Sequence, residues 1–142
     1  MKKVLVLGTN NTCISVMIAA LMKHISFNRI DVISAGIRPK KVNPYTKKAL
    51  MEIGIDISKE KPHSVNEFIH TKWDIIITTT EEAREKANSI LIGGTKIHRA
   101  FDDPMAVEGG EIEKMNAFRA LRDEINEWLN EFIARHRLLP SS

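Results

Sequence analysis

Four short apolar runs, separated by stretches with helical periodicity, limit what this chain can fold into. Val4-Leu5-Val6-Leu7 is an unbroken apolar run closed by Gly8, and Ile75-Ile76-Ile77 lies inside a second run from Asp74 to Thr79. Continuous rather than alternating apolarity marks strands buried on both faces, as in a parallel sheet. The β-branched run from Ile30 to Ser34 predicts another strand, stopped by Ala35-Gly36. Lys96-Ile97-His98 predicts a short fourth strand after a turn at Gly93-Gly94. Helices are predicted from Cys13 to about Ile25, with Met17, Ala20, Leu21 and His24 on one side, and from Asn43-Pro44 to a stop at Gly54. Ala49, Leu50 and Ile53 form the inner stripe of that second helix. A polar helix follows at Glu81–Ser89, and a long one at Glu111–Arg135. In the last, Ile112, Met115, Phe118, Leu121, Ile125, Trp128, Leu129 and Phe132 recur at helical spacing and predict a core face.

The order β-α-β-α-β-α-β-α predicts an α/β three-layer sandwich: a four-stranded parallel sheet with helices on both faces. Its 142 residues suit one domain spanning 1–142. Ligands in such folds sit beyond the C-terminal ends of the strands. Two loops reach that edge: the one after the first strand, and Phe101-Asp102-Asp103-Pro104 after the fourth.

Composition removes several function classes. A net charge of +3 with no basic stripe gives no footprint for nucleic acid. No apolar run is long enough to cross a membrane. The lone cysteine, Cys13, excludes an internal disulfide and points to a reducing, cytoplasmic compartment. The five histidines, His24, His63, His70, His98 and His136, form no metal-ligand spacing, so neither a metal nor a cofactor is expected.

The segment Gly8-Thr9-Asn10-Asn11-Thr12-Cys13-Ile14-Ser15 is a strand end, a tight loop and a helix start. Backbone N–H groups converging at a helix N-terminus make a site for oxyanions, aided by the helix dipole. This segment resembles the phosphate-binding loop of low-molecular-weight protein tyrosine phosphatases and thioredoxin-coupled arsenate reductases. Their loop runs Cys, five residues, Arg, then Ser or Thr. The reductases typically read Cys-Thr-Gly-Asn-Ser-Cys-Arg-Ser, so Thr9, Asn11, Cys13 and Ser15 match directly and Thr12 nearly. Ser34-Ala35-Gly36, Val42-Asn43-Pro44, Gly54-Ile55-Asp56-Ile57-Ser58, Phe101-Asp102-Asp103-Pro104 and Phe118-Arg119 to Ile125 extend the likeness in order along nearly the whole chain. It is closer to the reductase branch.

The resemblance implies that Gly8 stands at the nucleophile's position and Ile14 at that of the oxyanion-clamping arginine. Glycine has no group to attack with, and isoleucine cannot make a bidentate charge-assisted contact. Losing a covalent nucleophile costs on the order of 10⁶ in turnover. Thr80 stands where the reductases carry the first of their relay thiols, and one cysteine per chain cannot relay a disulfide within a monomer. The expectation is therefore a phosphatase/arsenate reductase-like protein without catalysis, its former active-site loop holding phosphate, sulfate or arsenate weakly or receiving a protein partner. The alternative is residual phosphatase or arsenate reductase activity. A homodimer through the long last helix or the vacated site is a third option, with Trp73 and Trp128 as contacts or as core.

The resemblance makes Asp103 the general-acid position, with Asp102 as runner-up; alternatively Asp103 only fixes an Asp-Pro turn. Asn11 and Ser34 are the expected braces of the loop. Thr9 and Ser15 can offer hydroxyls to an oxyanion. Cys13 is expected to be a structural thiol, and His98 and Arg99 to lie at the surface.

Overall fold

A computed structural model describes residues 1–139. Four strands, β1 (Lys3–Gly8), β2 (Asp31–Gly36), β3 (Lys72–Thr78) and β4 (Ile92–His98), alternate with four helices, α1 (Ile14–Ile25), α2 (Pro44–Met51), α3 (Glu81–Ile90) and α4 (Glu111–Arg135). All strands are parallel, in the order β2-β1-β3-β4. The central strand β1 carries the most apolar sequence because it has neighbours on both edges and helices on both faces; Val4 to Leu7 are fully buried.

The two faces bury separate cores. Val4, Val6, Ile75 and Ile77 pack against Met17 and Leu21 of α1 and Phe118, Ile125 and Leu129 of α4. Leu5, Leu7 and Ile76 pack against Ala83 and Ala87 of α3 and against Val65, in a short 3-10 turn at Val65–Phe68. The three-layer α/β sandwich follows from these two cores. No helix among the described residues is long and apolar enough to cross a membrane.

Four readings of the sequence need correction. Gly93-Gly94 lies inside β4 and is not a turn. A Cβ on Gly93 would stand 2.6 Å from Ile76 Cδ1, and one on Gly94 3.0 Å from the Asp74 carbonyl, so the glycines let β4 close onto β3. Ile53 is 40% exposed and falls beyond α2, which stops at Met51. There Gly54 takes φ 83°, and Gly54 N–H and Ile55 N–H donate to Met51 O and Leu50 O. Ile112 is 76% exposed, because the first turn of the 25-residue α4, about 37 Å long, projects past the core. His24 is also exposed, on the outer side of α1. Trp73 is buried, and Trp128 is half-buried between Phe101 and Phe132.

α2 is fastened to α4 by a charged cluster. Arg122, nearly buried, donates to the Ala49 carbonyl at 2.8 Å and to Glu52 Oε1 at 2.9 Å. Arg119 donates to the same carboxylate. The Arg119 hydrogen bonds, aided by Arg122, hold the Glu52 carboxyl down at about 2.

Candidate functional site

The loop between β1 and α1 lies at the C-terminal edge of the central strand, where this sheet type presents its ligands. Asn11 takes φ 55°, a left-handed conformation that asparagine tolerates better than most residues. Its side chain is buried, and Asn11 Oδ1 accepts a 2.7 Å hydrogen bond from Ser15 Oγ. One polar side chain thus clips the loop's turn to the first turn of the helix.

Four of the loop's carbonyls accept from the segment between β2 and α2. Ile37 N–H donates to Gly8 O, Arg38 N–H to Thr9 O, Lys40 N–H to Asn10 O and Asn43 N–H to Thr12 O, at 2.9–3.2 Å. Thr46 Oγ also donates to Thr12 O, and Met17 N–H closes the helix on Cys13 O. None of the N–H groups from Thr9 to Ser15 donates to an acceptor among the described residues. Helix α1 adds to this polarity: its N-cap, Cys13, makes no side-chain capping bond, so the first-turn donors stay open. The loop thus carries N–H groups without a protein acceptor beside the N-terminus of α1.

Charged groups border the array without entering it. Arg38 forms a two-pronged contact with Glu82 at 2.7 and 3.0 Å. Thr9 Oγ1 shares a 2.9 Å hydrogen bond with Thr80 Oγ1, which also accepts from Ala83 N–H and caps α3. Arg99 lies 3.9 Å over the Phe101 ring, directing its charge at an aromatic face. His98 is exposed at the end of β4, its Nδ1 2.8 Å from Thr78 Oγ1. Ile14 packs its side chain against the core formed with α4.

At the loop's base, Gly8 is crowded rather than open. A Cβ there would stand 3.0 Å from Ser15 Oγ and 3.2 Å from Thr79 Oγ1. Both neighbours are held, Ser15 by Asn11 and Thr79 by its 3.2 Å bond to Leu7 O.

Asp103 is exposed at the head of a 3-10 turn, Pro104–Ala106, where its Oδ1 accepts from Met105 N–H at 2.9 Å. That is an Asp-Pro turn fixing its own backbone, and Asp102 beside it is exposed. Ser34 makes no hydrogen bond to the loop; it lines a small hollow behind Asn11, beneath α1. The loop is held instead by Asn11–Ser15, Thr46 and the Thr9–Thr80 pair. Thr46 and Thr79 carried no signal in the sequence, because their roles depend on strand and helix ends meeting in space. Thr80 had one: a threonine ahead of Glu81-Glu82 is a recognisable helix cap.

Cys13 sits between the loop and α2. Burial pushes its thiol up to about 11; a hydrogen bond with Thr46 opposes the shift and the nearby Asp103 charge adds to it. Thiolate is the reactive form, so at pH 8 Cys13 should react with iodoacetamide at least about 100-fold more slowly than free cysteine. A mass-spectrometric time course checks this; labelling at the free-thiol rate would show an open, activated thiol. Among the described residues no three His, Cys, Asp or Glu side chains gather as metal ligands.

Comparison with known proteins agrees with this architecture. An arsenate reductase of Halalkalibacterium halodurans is 35% identical over 131 residues, covering 92% of this chain and 94% of its own. An arsenate reductase of Bacillus subtilis is 35% identical over 126 residues, covering 89% of this chain and 91% of its own. The solved arsenate reductase of Archaeoglobus fulgidus superposes with a TM-score of 0.70 at 26% identity, covering 92% of this chain and 98% of its own. The profile described as low molecular weight phosphotyrosine protein phosphatase matches residues 3–138, from the first strand to the end of the last helix. Matched from residue 3 to residue 138 and 35% identical to relatives that it covers almost fully, the chain belongs to the low molecular weight phosphotyrosine protein phosphatase family.

Proposed function

We propose that this chain is a cytoplasmic member of the family without its chemistry, one that binds a tetrahedral oxyanion such as phosphate, sulfate or arsenate on the backbone of the loop Gly8–Ser15. The observation that carries the reading is the pairing of that loop: the carbonyls of Gly8, Thr9, Asn10, Thr12 and Cys13 are hydrogen-bonded, while the N–H groups from Thr9 to Ser15 have no protein acceptor among the described residues. Backbone N–H groups at a helix N-terminus favour an anion through their own dipoles and that of the helix. Attack at a bound anion has no agent here. Gly8 has no side chain, Ile14 is apolar and half-buried against the core, and Cys13 is held neutral.

Affinity should be weak. There is no guanidinium to clamp the anion, and the Asp102 and Asp103 carboxylates stand on the adjacent loop. Backbone donors alone predict a Kd of about 1 mM or weaker. Titration of the 15N-labelled protein with phosphate, sulfate and arsenate, followed by calorimetry and amide shifts, tests this. Shifts confined to Thr9–Ser15 are expected; no heat and no movement there would remove the proposal.

A second reading, retained arsenate reductase or phosphatase turnover, is favoured by the naming of the 35% identical relatives as arsenate reductases and by the presence of Asp103 at the edge of the site. Assay of the unmodified protein separates the two.

A further inference from the structure

Strand β4 ends the sheet with its outer edge free. Its inner side pairs with β3 from Lys72↔Ile92 to Thr78↔His98 with no inserted residue, and among the described residues nothing pairs with its other side. β2, at the opposite end of the sheet, is different: Gly36 N–H donates to His63 O at 2.9 Å and Gly36 bridges Ser64, so a following segment covers it. Proteins usually blunt an open edge with proline, a bulge, very short length or a charged side chain, and of these β4 carries one lysine, Lys96. β4 has seven residues, no proline and no bulge.

The surroundings of this edge are cationic. On the α3 side of β4 lies a hollow of about 190 Å³ lined by Thr78, Arg84, Asn88, Lys96 and His98. No carboxylate lines it. Arg84's partner is Glu81 at 3.7 Å, and both side chains are more than half exposed, which leaves that pair weak. Gly94, Lys96 and His98 alternate onto one face of β4, so a strand added about 4.8 Å farther out would carry its same-face side chains alongside that hollow.

We propose that the free edge of β4 docks an extended acidic segment of a partner protein, which adds as a fifth strand and sets carboxylates against Lys96 and Arg84. Main-chain hydrogen bonds along β4 supply the affinity and the two cations the selectivity. A second copy of this chain fits less well. Two-fold pairing of β4 with itself brings Lys96 and Arg84 of both copies to one seam, where like charges repel.

The test uses the full chain, 15N-labelled, and two acetylated and amidated octapeptides, one alternating threonine with glutamate and one alternating threonine with lysine. The glutamate peptide should shift amides of Ile92–His98 and leave Thr9–Ser15 unmoved, which separates this site from the oxyanion loop. Its affinity should fall about fivefold or more between 50 and 300 mM salt. Arg84→Glu with Lys96→Glu, both at exposed positions, should weaken it about tenfold or more and transfer binding to the lysine peptide. Equal binding of the two peptides, no movement at β4 at millimolar peptide, or β4 amides protected by self-association in sedimentation would overturn the proposal.

Discussion

The purified protein should hydrolyse an activated aryl phosphate such as p-nitrophenyl phosphate no faster than buffer across pH 5–8, while Gly8→Cys combined with Ile14→Arg should turn it over. The first half follows from the residues at the two positions: no thiolate forms at Gly8, and the Ile14 side chain is apolar and lies half-buried against the core. The second half follows from the loop, whose donors are already arrayed and whose turn is already clipped by Asn11 and Ser15. A cysteine placed at that helix N-terminus beside an arginine should have a lowered pKa, and the arginine should clamp the transferring group. A nucleophile is worth on the order of 10⁶, so a recovery of about 10²–10³ over the parent is a conservative expectation.

Steric detail sets the order among the variants. A Cβ at Gly8 meets Ser15 Oγ at 3.0 Å and Thr79 Oγ1 at 3.2 Å, and both hydroxyls are tied by hydrogen bonds. Gly8→Cys alone should therefore destabilise the fold by about 1–3 kcal/mol, as crowding a packed site does. Adding Thr79→Ala removes one of the two obstructions and should raise both the stability and the turnover of the double variant. Two results would defeat this account: turnover by the unmodified protein that Asp103→Asn abolishes, or a folded double variant as inert as its parent.

The second large effect is on stability. Phe118→Ala should cost about 3–5 kcal/mol and lower Tm by about 10–15 °C, measured by calorimetry. Phe118 is fully buried in the core shared by α1, α4 and the sheet, and its ring stacks on Tyr45 at 5.2 Å between centroids. Its loss opens a cavity between α2 and α4 that stacked rings and the Arg122–Glu52 cluster now close. The damage should reach the loop as well, because Asn43 and Thr46 at the start of α2 hold Thr12 O. Faster hydrogen exchange in Thr9–Ser15 should accompany the lower Tm. Ile112→Ala, on the same helix at a position 76% exposed, should change stability by less than about 0.5 kcal/mol. Similar costs for the two variants would mean that Phe118 is not part of the core.

Amino-acid order alone was enough for the parallel sheet, the alternation of strands and helices, and a tight loop between β1 and α1. Val4–Leu7 and Ile75–Ile77 are apolar at every position because they have no solvent face, and that is a property of the chain before it folds. Where the reading went astray, neighbours distant in sequence had decided the outcome. Gly93-Gly94 looks like a turn until Ile76 and Asp74 are found against it, and Ile112 fits a helical stripe until the helix proves longer than the core beneath it. The braces of the loop were hidden for the same reason. Thr46, Thr79 and Thr80 lie dozens of residues from Thr12, Leu7 and Thr9, and a hydroxyl acquires its partner only once the sheet and helix ends converge. Period and apolarity are local and survive in one dimension; contact, crowding and the direction of a hydrogen bond exist only in three.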